Sequence, residues 1–546
     1  MRSAHSPAPG SASSWRFPRF TGLFFDEFAS DSAWIRETAV LRLPPYDGAL
    51  ALTLHGEFRP HPEARGIETR APMLECRIDG ARAARLAFQQ PGPFETALAI
   101  PAESARCGAK ITLRLHGTAL TNTLAWLGRV TGLGPLQRFR AQNKNRQIRI
   151  ASLSTVAGET IFDFSVRLAP YSMAFARRHT HLGLNIVGFL TADLGIGESA
   201  RCMVRAADAA GLPNALVPLK LNCKNRLGDP TYAARLQSTN PHRVNIIHID
   251  APAARDLDHH HGPALRQGKY NIGYFAWELP EFPDSWVPAF AYFDEIWCPS
   301  DFVRDAVAMK SPLPVLTMPH AISFARPTGD FRARFGLPAD AFLFLFLYDL
   351  NSYSERKNPQ AVVSAFRQSG LAGAGAALVI KVQNAIHHPE DFAALQAAVH
   401  DLPGTVVIAE TLAREEVYQL ESACDCFVTL HRSEGFGIAP AECMYLGKPV
   451  IATNWSGTTE FIDDHTGCPV NCTLATIQKN HGPYFKGQTW AEPDVEHAAD
   501  WMRKLCADRT LAHAIGAAGR AAIEARFSPA AIGARYRRRL ESIATF

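Results

Sequence analysis

The sequence predicts an α/β protein of two consecutive parallel-sheet halves, preceded by an antiparallel β-sandwich. Three observations carry that prediction. Between about Phe20 and Phe164 apolar residues recur at every second position, from Leu184 short apolar runs alternate with helix-length amphipathic segments, and a second such series starts at Phe342. Period two marks strands with one buried face, whereas strands separated by helices mark a parallel sheet covered on both faces.

The sandwich, expected over residues 19–175, rests on Leu50, Leu52 and Leu54, on Leu74, Cys76 and Ile78, and on Ile111, Leu113 and Leu115. Asp79-Gly80 supplies a hairpin turn, because both residues tolerate positive φ. Carbohydrate binding and a packing or oligomerisation role remain equally open for this domain. Residues 1–18 are polar, without the apolar core of a secretory signal, and read as a disordered leader. Leu124 to Arg140 sets Trp126, Leu127, Leu133 and Leu136 among Arg129, Arg138 and Arg140. Such a stretch can lie on an anionic membrane surface, which would make membrane contact peripheral. Gly132, Gly134 and Pro135 favour a plain excursion between strands instead. Arg177, Arg178, His179 and His181 are assigned to the linker between the sandwich and the first parallel half.

The first parallel half, residues 180–325, has expected strands at Ile186 to Leu190, Ala215 to Leu219, Val244 to Ile249, Asn271 to Phe275, Glu295 to Cys298 and Val315 to Met318. After the first strand, Thr191 to Ser199 reads as a loop holding Gly195 and Gly197, and Ala200 to Ala210 as a helix. The fingerprint of a dinucleotide site is incomplete there: its third glycine position holds Ala200, and no acid follows a second strand at the right distance. A nicotinamide enzyme is therefore disfavoured. The second half, residues 326–546, has expected strands at Phe342 to Tyr348, Ala377 to Lys381, Thr405 to Ile408, Cys426 to Leu430 and Val450 to Thr453. Helices are expected after them over Asp494 to Ala507, Leu511 to Phe527 and Pro529 to Ile543.

Bulk composition narrows the function classes. With 47% hydrophobic and 20% charged residues the chain is an ordinary globular protein, and a net charge of +4 over 546 residues implies no nucleic-acid partner. No apolar run reaches the roughly 18 residues of a membrane span. Eleven cysteines in no disulfide pattern read as reduced thiols of a cytoplasmic protein.

The chemistry concentrates between Leu430 and Phe461. A strand leads into Ser433-Glu434-Gly435-Phe436-Gly437, a helix from Ile438 stops at Gly447, and a second strand leads into Trp455-Ser456-Gly457-Thr458-Thr459-Glu460. The glycines let backbone approach a ligand, and the N–H groups of the first helical turn point into the same space. Glu434 and Glu442 stand two helical turns apart, and carboxylates accept paired hydrogen bonds from the vicinal hydroxyls of sugar and ribose rings. Upstream, Asn351-Ser352-Tyr353-Ser354-Glu355-Arg356-Lys357-Asn358-Pro359 comes after a strand and opens a helix, a place where cations can neutralise a leaving diphosphate.

Glu434 and Glu442, with seven residues and a Gly-Phe-Gly between them, resemble the paired-glutamate signature of the retaining glycosyltransferases of family 4, the group 1 transferases. The resemblance covers about Leu184 to Ile543 and implies the two-domain GT-B fold, with the last helix crossing back to the first half. It implies that Glu434 contacts hydroxyls of the donor sugar, that the Gly435 to Ile438 backbone supports them, and that Glu442 holds the ribose. By the same resemblance Lys357 contacts the diphosphate, and Ser433, Ser456, Gly457 and Thr458 flank the donor. Gly195 and Gly197 match the family's glycine loop near donor phosphate and acceptor. The family's companion arginine would fall on Ser352, leaving Arg356 or Lys381 for that role. Its acceptor-side histidine would fall near Glu278, which with Asp250 is the acceptor-side candidate.

The resemblance implies a cytoplasmic, retaining glycosyltransferase that moves a hexose from a nucleotide diphosphate sugar to a carbohydrate or lipid-linked glycan, for instance in capsule or lipopolysaccharide assembly. No cofactor or metal is expected, since fixed cations or helix N-termini can neutralise the leaving diphosphate. The retaining reaction needs no protein nucleophile, because the leaving phosphate itself can guide the acceptor on the same face. Asp256-Leu-Asp258 with His259-His260-His261 matches a metal-binding pattern, but it sits in a polar stretch and reads as a surface loop. Two alternatives stand beside this reading: a sugar-nucleotide epimerase or phosphorylase on the same fold, and an inactive glycan-binding or scaffold protein.

Overall fold

The computed structural model describes residues 20–24, 33–43, 46, 48–59, 72–116, 127, 130–131, 148–165, 172, 182–193, 195–223, 225–267 and 269–544. The leader, most of Leu124 to Arg140 and the linker at Arg177 to His181 lie outside the described residues. Those of Ser14–Leu182 and Arg539–Phe546 form one compact unit and those of Gly183–Arg538 another.

In the first unit the period-two pattern produces antiparallel pairing, in one continuous sheet rather than two. Its path runs from Ala81–Ala87 through Met73–Ile78, Lys110–His116, Ala33–Arg42, Ile148–Thr155 and Leu50–Phe58 to Gly92–Ile100. Phe20–Phe24 and Thr160–Asp163 pair off that path. Leu50, Leu52, Leu54, Ile111, Leu113 and Leu115 all turn into a single core. Phe88 and Phe94, at the two ends of the path, stand 5.0 Å apart, so the sheet curls over that core. Asp79 and Gly80 close the hairpin with φ of 49° and 89°, the positive values its two-residue turn demands.

In the second unit, the first parallel sheet orders its strands Asn214–Pro218, Leu184–Gly188, Val244–His248, Tyr270–Tyr274, Glu295–Cys298 and Val315–Thr317, or 2-1-3-4-5-6 by position in that half. The other sheet orders Val406–Ile408, Ala376–Gln383, Phe342–Asp349, Cys426–Thr429, Val450–Thr453 and Cys468–Val470, or 3-2-1-4-5-6. In each, the chain leaves strand 1 in opposite directions, and the loops there open a crevice at the strand carboxyl ends. Helix Pro529–Ala544 returns to the first sheet: Tyr536 packs 4.8 Å from the Trp297 ring, and Arg537 donates to the Ala210 carbonyl. Position 533 must be glycine, since a Cβ there would stand 2.4 Å from the Ala206 oxygen.

Four features differ from expectation. The helix after the first strand begins at Gly195 rather than Ala200, because Gly197 packs its first turn onto the strand loop. A Cβ there would meet the Ala192 oxygen at 2.0 Å. Cys468–Val470 adds a sixth strand, too short to show a period. A hairpin, Cys472–Thr476 with Thr489–Pro493, carries Ile477, Tyr484 and Trp490 into the core of the opposite half beside Trp277 and Phe282. Finally, Ala251–Asp256 and Leu257–His261 are short helical segments rather than a loop. Arg266 holds Asp258 at 2.8 Å, and His261 accepts from the Lys220 N–H. The cysteines described are free thiols. Among the described residues no helix is long and apolar enough to cross a membrane.

Candidate active site

At the crevice of the second sheet, strand 1 ends at Asp349 and strand 4 at Thr429, and the loops beyond them bring Arg356, Lys357 and Glu434 together. Lys357 Nζ donates to Glu434 Oε2. Arg356 Nη1 lies 3.4 Å from Glu434 Oε1 and donates to the Ser433 carbonyl at 3.1 Å. From the first half, Glu278 approaches the same guanidinium, with Oε1 3.8 Å from Nη2. Two acids and two bases thus alternate across the strand ends of the two halves. Burial alone would raise the Glu434 carboxyl, but Lys357 and Arg356 hold it well below the usual carboxylate range.

Backbone strain is concentrated here. Five described non-glycine residues have positive φ, and apart from Asp79 in its hairpin they are Tyr353, Asn358, Asn384 and Ser456. Tyr353 and Asn358 bracket the short helix Ser354–Lys357 that aims both cations. Ser456, at φ 68°, turns its hydroxyl to accept from the Glu434 N–H at 2.8 Å. Such conformations cost on the order of 1–3 kcal/mol each and persist where surrounding contacts hold them. Helix Ile438–Tyr445 begins after Gly437, at φ 93°, and no side chain caps it. Its first N–H groups are thus free to meet an anion.

Glycine is required by close packing in the second loop. A Cβ on Gly457 would stand 2.2 Å from the Gly435 oxygen, and one on Gly435 would stand 2.9 Å from the Trp277 oxygen. Ser433 donates to the Glu278 carbonyl and Ser300 to the Gly435 carbonyl at 2.6 Å, which seats the Gly-Phe-Gly loop against the first half. Glu460 reaches across as well, accepting from the Asp301 N–H at 2.6 Å. It therefore serves helix Asp301–Ala308 rather than the next turn in its own sequence.

Several expected donor contacts point elsewhere. Phe436 is buried between His320, Phe461 and Phe527, at 4.9, 5.1 and 5.6 Å, and acts as a wedge under the loop. Thr458 is fully buried, its hydroxyl against His431 Nε2 at 3.3 Å. Lys381 spends its ammonium on the Val382 carbonyl and Gln383, so Arg356 alone of the two candidates stands beside Glu434. Asp250 is exposed at the head of a 3-10 segment. Gly195 and Gly197 form a helix start, not an open loop, and the residues after them do the reaching. Glu198 meets Arg414 and Ser199 meets His320.

Glu442 is 2% exposed and held by Arg414. Burial pushes its carboxyl up to about 7, against the pull of Arg414 and with a further push from Glu198. No motif singles out Arg414, Glu198 or Tyr484. Tyr484 donates to Glu278 Oε2 at 3.1 Å, and its ring lies 5.8 Å from the Arg356 guanidinium.

At the crevice of the first sheet the groups are neutral. His248 Nε2 and Ser199 Oγ are 2.6 Å apart, Tyr274 stacks on His248 and donates to the Met318 carbonyl, and His320 completes the cluster. Burial pushes His248 down to about 4 and His320 to about 3.

Residues 329–522 match the family model described as glycosyl transferases group 1. Human alpha-1,3/1,6-mannosyltransferase ALG2 is 29% identical over 150 residues, which are 28% of this chain and 31% of that protein. ALG2 of Dictyostelium discoideum is 29% identical over 145 residues, 24% of this chain and 34% of that one. The chain thus spans less than two thirds of the length of the curated relatives it matches. Among solved structures, Anabaena Alr3699/HepE in complex with UDP and glucose superposes with a TM-score of 0.50 at 13% identity, over 66% of this chain and 100% of that one. That likeness shows the fold, which is GT-B.

Proposed function

We propose that this chain, which carries a group 1 glycosyltransferase domain at residues 329–522 in a GT-B fold, transfers a hexose with retention from a nucleoside diphosphate sugar to a carbohydrate or lipid-linked glycan. One observation carries the reading: Arg356 and Lys357 converge on Glu434 beside an uncapped helix start, at the point where the second sheet reverses its strand order. A diphosphate needs fixed cations and N–H groups, and a sugar needs a carboxylate within reach of both.

The proposed roles derive from that placement. The donor enters between Lys357 and Glu434, which hold each other meanwhile. Lys357, Arg356 and the N–H groups of Ile438 and Ala439 neutralise the diphosphate as its bond to the anomeric carbon breaks, while Glu434 turns to the sugar hydroxyls. The acceptor hydroxyl attacks from the same face, forming the new glycosidic bond and passing its proton to the departing phosphate oxygen. Glu442 takes the ribose, and Glu278 orients the acceptor. No metal is required by these roles. A mannose donor is supported by the names of the curated relatives, and a surface glycan such as capsule or lipopolysaccharide is the proposed product. Cysteines in no disulfide pattern support a cytoplasmic setting, with any membrane contact peripheral.

Thermal unfolding against UDP, GDP and their glucose and mannose derivatives, with and without EDTA, tests the reading, since a ligand of the folded state raises the midpoint by mass action. A rise with one nucleotide family, unchanged by EDTA and lost in Lys357→Ala, is expected. A rise with oligosaccharides only would overturn the reading in favour of a glycan-binding protein.

A further inference from the structure

Away from the cations around Glu434, a second set of charges is buried where the two halves meet. Glu198 and Arg201 are each 1% exposed, and Arg201 Nε donates to Glu198 Oε2 at 2.9 Å. Arg205 donates to Glu198 Oε1. All three lie on helix Gly195–Ala209 of the first half. From the second half, Arg414 brings its Nε to 3.4 Å from Glu198 Oε2 and donates through Nη2 to Glu442 Oε1. Its guanidinium lies over the Tyr418 ring, 4.4 Å away, and that ring stacks at 3.7 Å on Phe324, in the segment joining the two sheets. One guanidinium therefore holds a carboxylate of each half, and the ring beneath it stacks on the connection between them.

Ion pairs sealed from water are costly to form and costlier to break on one side.

We propose that Arg414 is a positioning residue: it anchors the Glu442 carboxylate, which awaits the ribose of a nucleoside diphosphate, to Glu198 of the opposite half, so that ribose binding and the seating of the halves share one guanidinium. The proposal rests on the ribose role given to Glu442 above.

Its signature is a pH dependence of nucleotide binding that Arg414 and Glu198 move in opposite directions. Glu442 faces Glu198, Cys202 and Arg205 on helix Gly195–Ala209, Arg414, Tyr418 and Glu421 on helix Arg414–Ala423, and Cys443 beside it. Among these, Arg414 pulls its proton affinity down and Glu198 pushes it up. The ionised carboxylate is the better acceptor for two ribose hydroxyls.

The test is binding of UDP and of GDP to the full chain by calorimetry from about pH 5.5 to about pH 9, on wild type, Arg414→Gln, Arg414→Lys and Glu198→Gln. A midpoint displaced by about one pH unit changes affinity about tenfold on its acid side. In Arg414→Gln the pH of half-maximal affinity is expected to rise by about one pH unit or more, with affinity recovered at high pH, and Arg414→Lys is expected to restore much of it. In Glu198→Gln the midpoint is expected to fall, which destabilisation alone does not produce and which stands as the test if Arg414→Gln does not fold. Unmoved midpoints in every variant that folds would overturn the proposal. Glu442→Gln separates the two levels: if it binds both nucleotides as tightly as wild type, the ribose role itself is wrong. If it weakens binding while Arg414 and Glu198 variants leave the midpoint in place, only the role of Arg414 is lost.

Discussion

The two parallel sheets of the second unit end in opposite chemistry at equivalent places. Where the first sheet reverses direction, the crevice is lined by Ser199, His248, Tyr274 and His320, all buried and held neutral. Where the second sheet reverses, Arg356, Lys357 and Glu434 are charged, and both Lys357 and Glu434 keep part of their side chains in contact with water. Corresponding positions at the ends of two parallel sheets therefore do not confer equal function on the two crevices. The neutral one supplies hydrogen bonds and shape, through the His320 ring that meets Phe436. The charged one supplies the field that a leaving diphosphate needs.

The sharpest way to break this contrast is to remove charge from the second crevice. Lys357→Ala and Glu434→Gln are each expected to lower the transfer rate about 10²–10³-fold, about 3–4 kcal/mol of lost transition-state stabilisation. A steady-state assay of sugar transfer reads the loss. Rates within a few-fold of wild type would place the chemistry elsewhere.

Next in size is the acid response of the first crevice. His248 carries a folded pKa of about 4 against an ordinary 6.5, so below that ordinary value the unfolded chain binds the extra proton. Its share of stability is complete above about pH 6.5 and is lost as pH falls toward about 4, a difference of about 3 kcal/mol. Unfolding midpoints of wild type and His248→Asn over that window check it: the variant is expected to lose less stability on acidification. His320 titrates in the same direction, so the variant keeps part of the slope.

A smaller effect sharpens the comparison at the border between the crevices. Tyr484→Phe deletes one hydroxyl that donates to Glu278 and leaves the ring over Arg356. About 1 kcal/mol is expected in the transfer rate, with nucleotide affinity unchanged, and kcat measured against nucleotide Kd separates the two. The smallest effect is expected at Glu421. Burial first, and then the Glu442 carboxylate, raise its proton affinity well above the usual carboxylate range, the direction in which a neutral amide of the same shape is tolerated. Glu421→Gln is expected to change stability by no more than about 0.5 kcal/mol in denaturant titration at pH 7.

The parts of this site that could be read in advance are those whose chemistry and backbone agree. Gly435, Gly437, Glu434 and Lys357 sit on loops between strands with strong apolar runs, so spacing alone places them at strand ends. Of the residues acting across the halves, Glu278 and Ser433 could be read but Arg414, Glu198 and Tyr484 could not. Arg414 opens a helix whose pattern is that of a solvated face, and its partner Glu198 is 216 residues away in sequence. Tyr484 lies in a polar, glycine-containing loop of a hairpin whose strands show no alternation. The start at Gly195 was hidden because two glycines argue against a helix, and only the Ala192 oxygen pressing on Gly197 shows why they are there. Lys381 illustrates the converse: strand register places it at the right height, but its own strand end takes its ammonium.

The returning helix bears on how the molecule is made. Arg537 and the Ala210 carbonyl it meets are 327 residues apart, and Tyr536 covers Trp297 on the fifth strand of the first sheet. On the ribosome, the first half emerges long before the helix that closes it, so it must wait with Trp297 uncovered while the second half is synthesised and folds. Completion of the first half thus waits on segments made last, and that interval is when a holdase chaperone would find its binding surface.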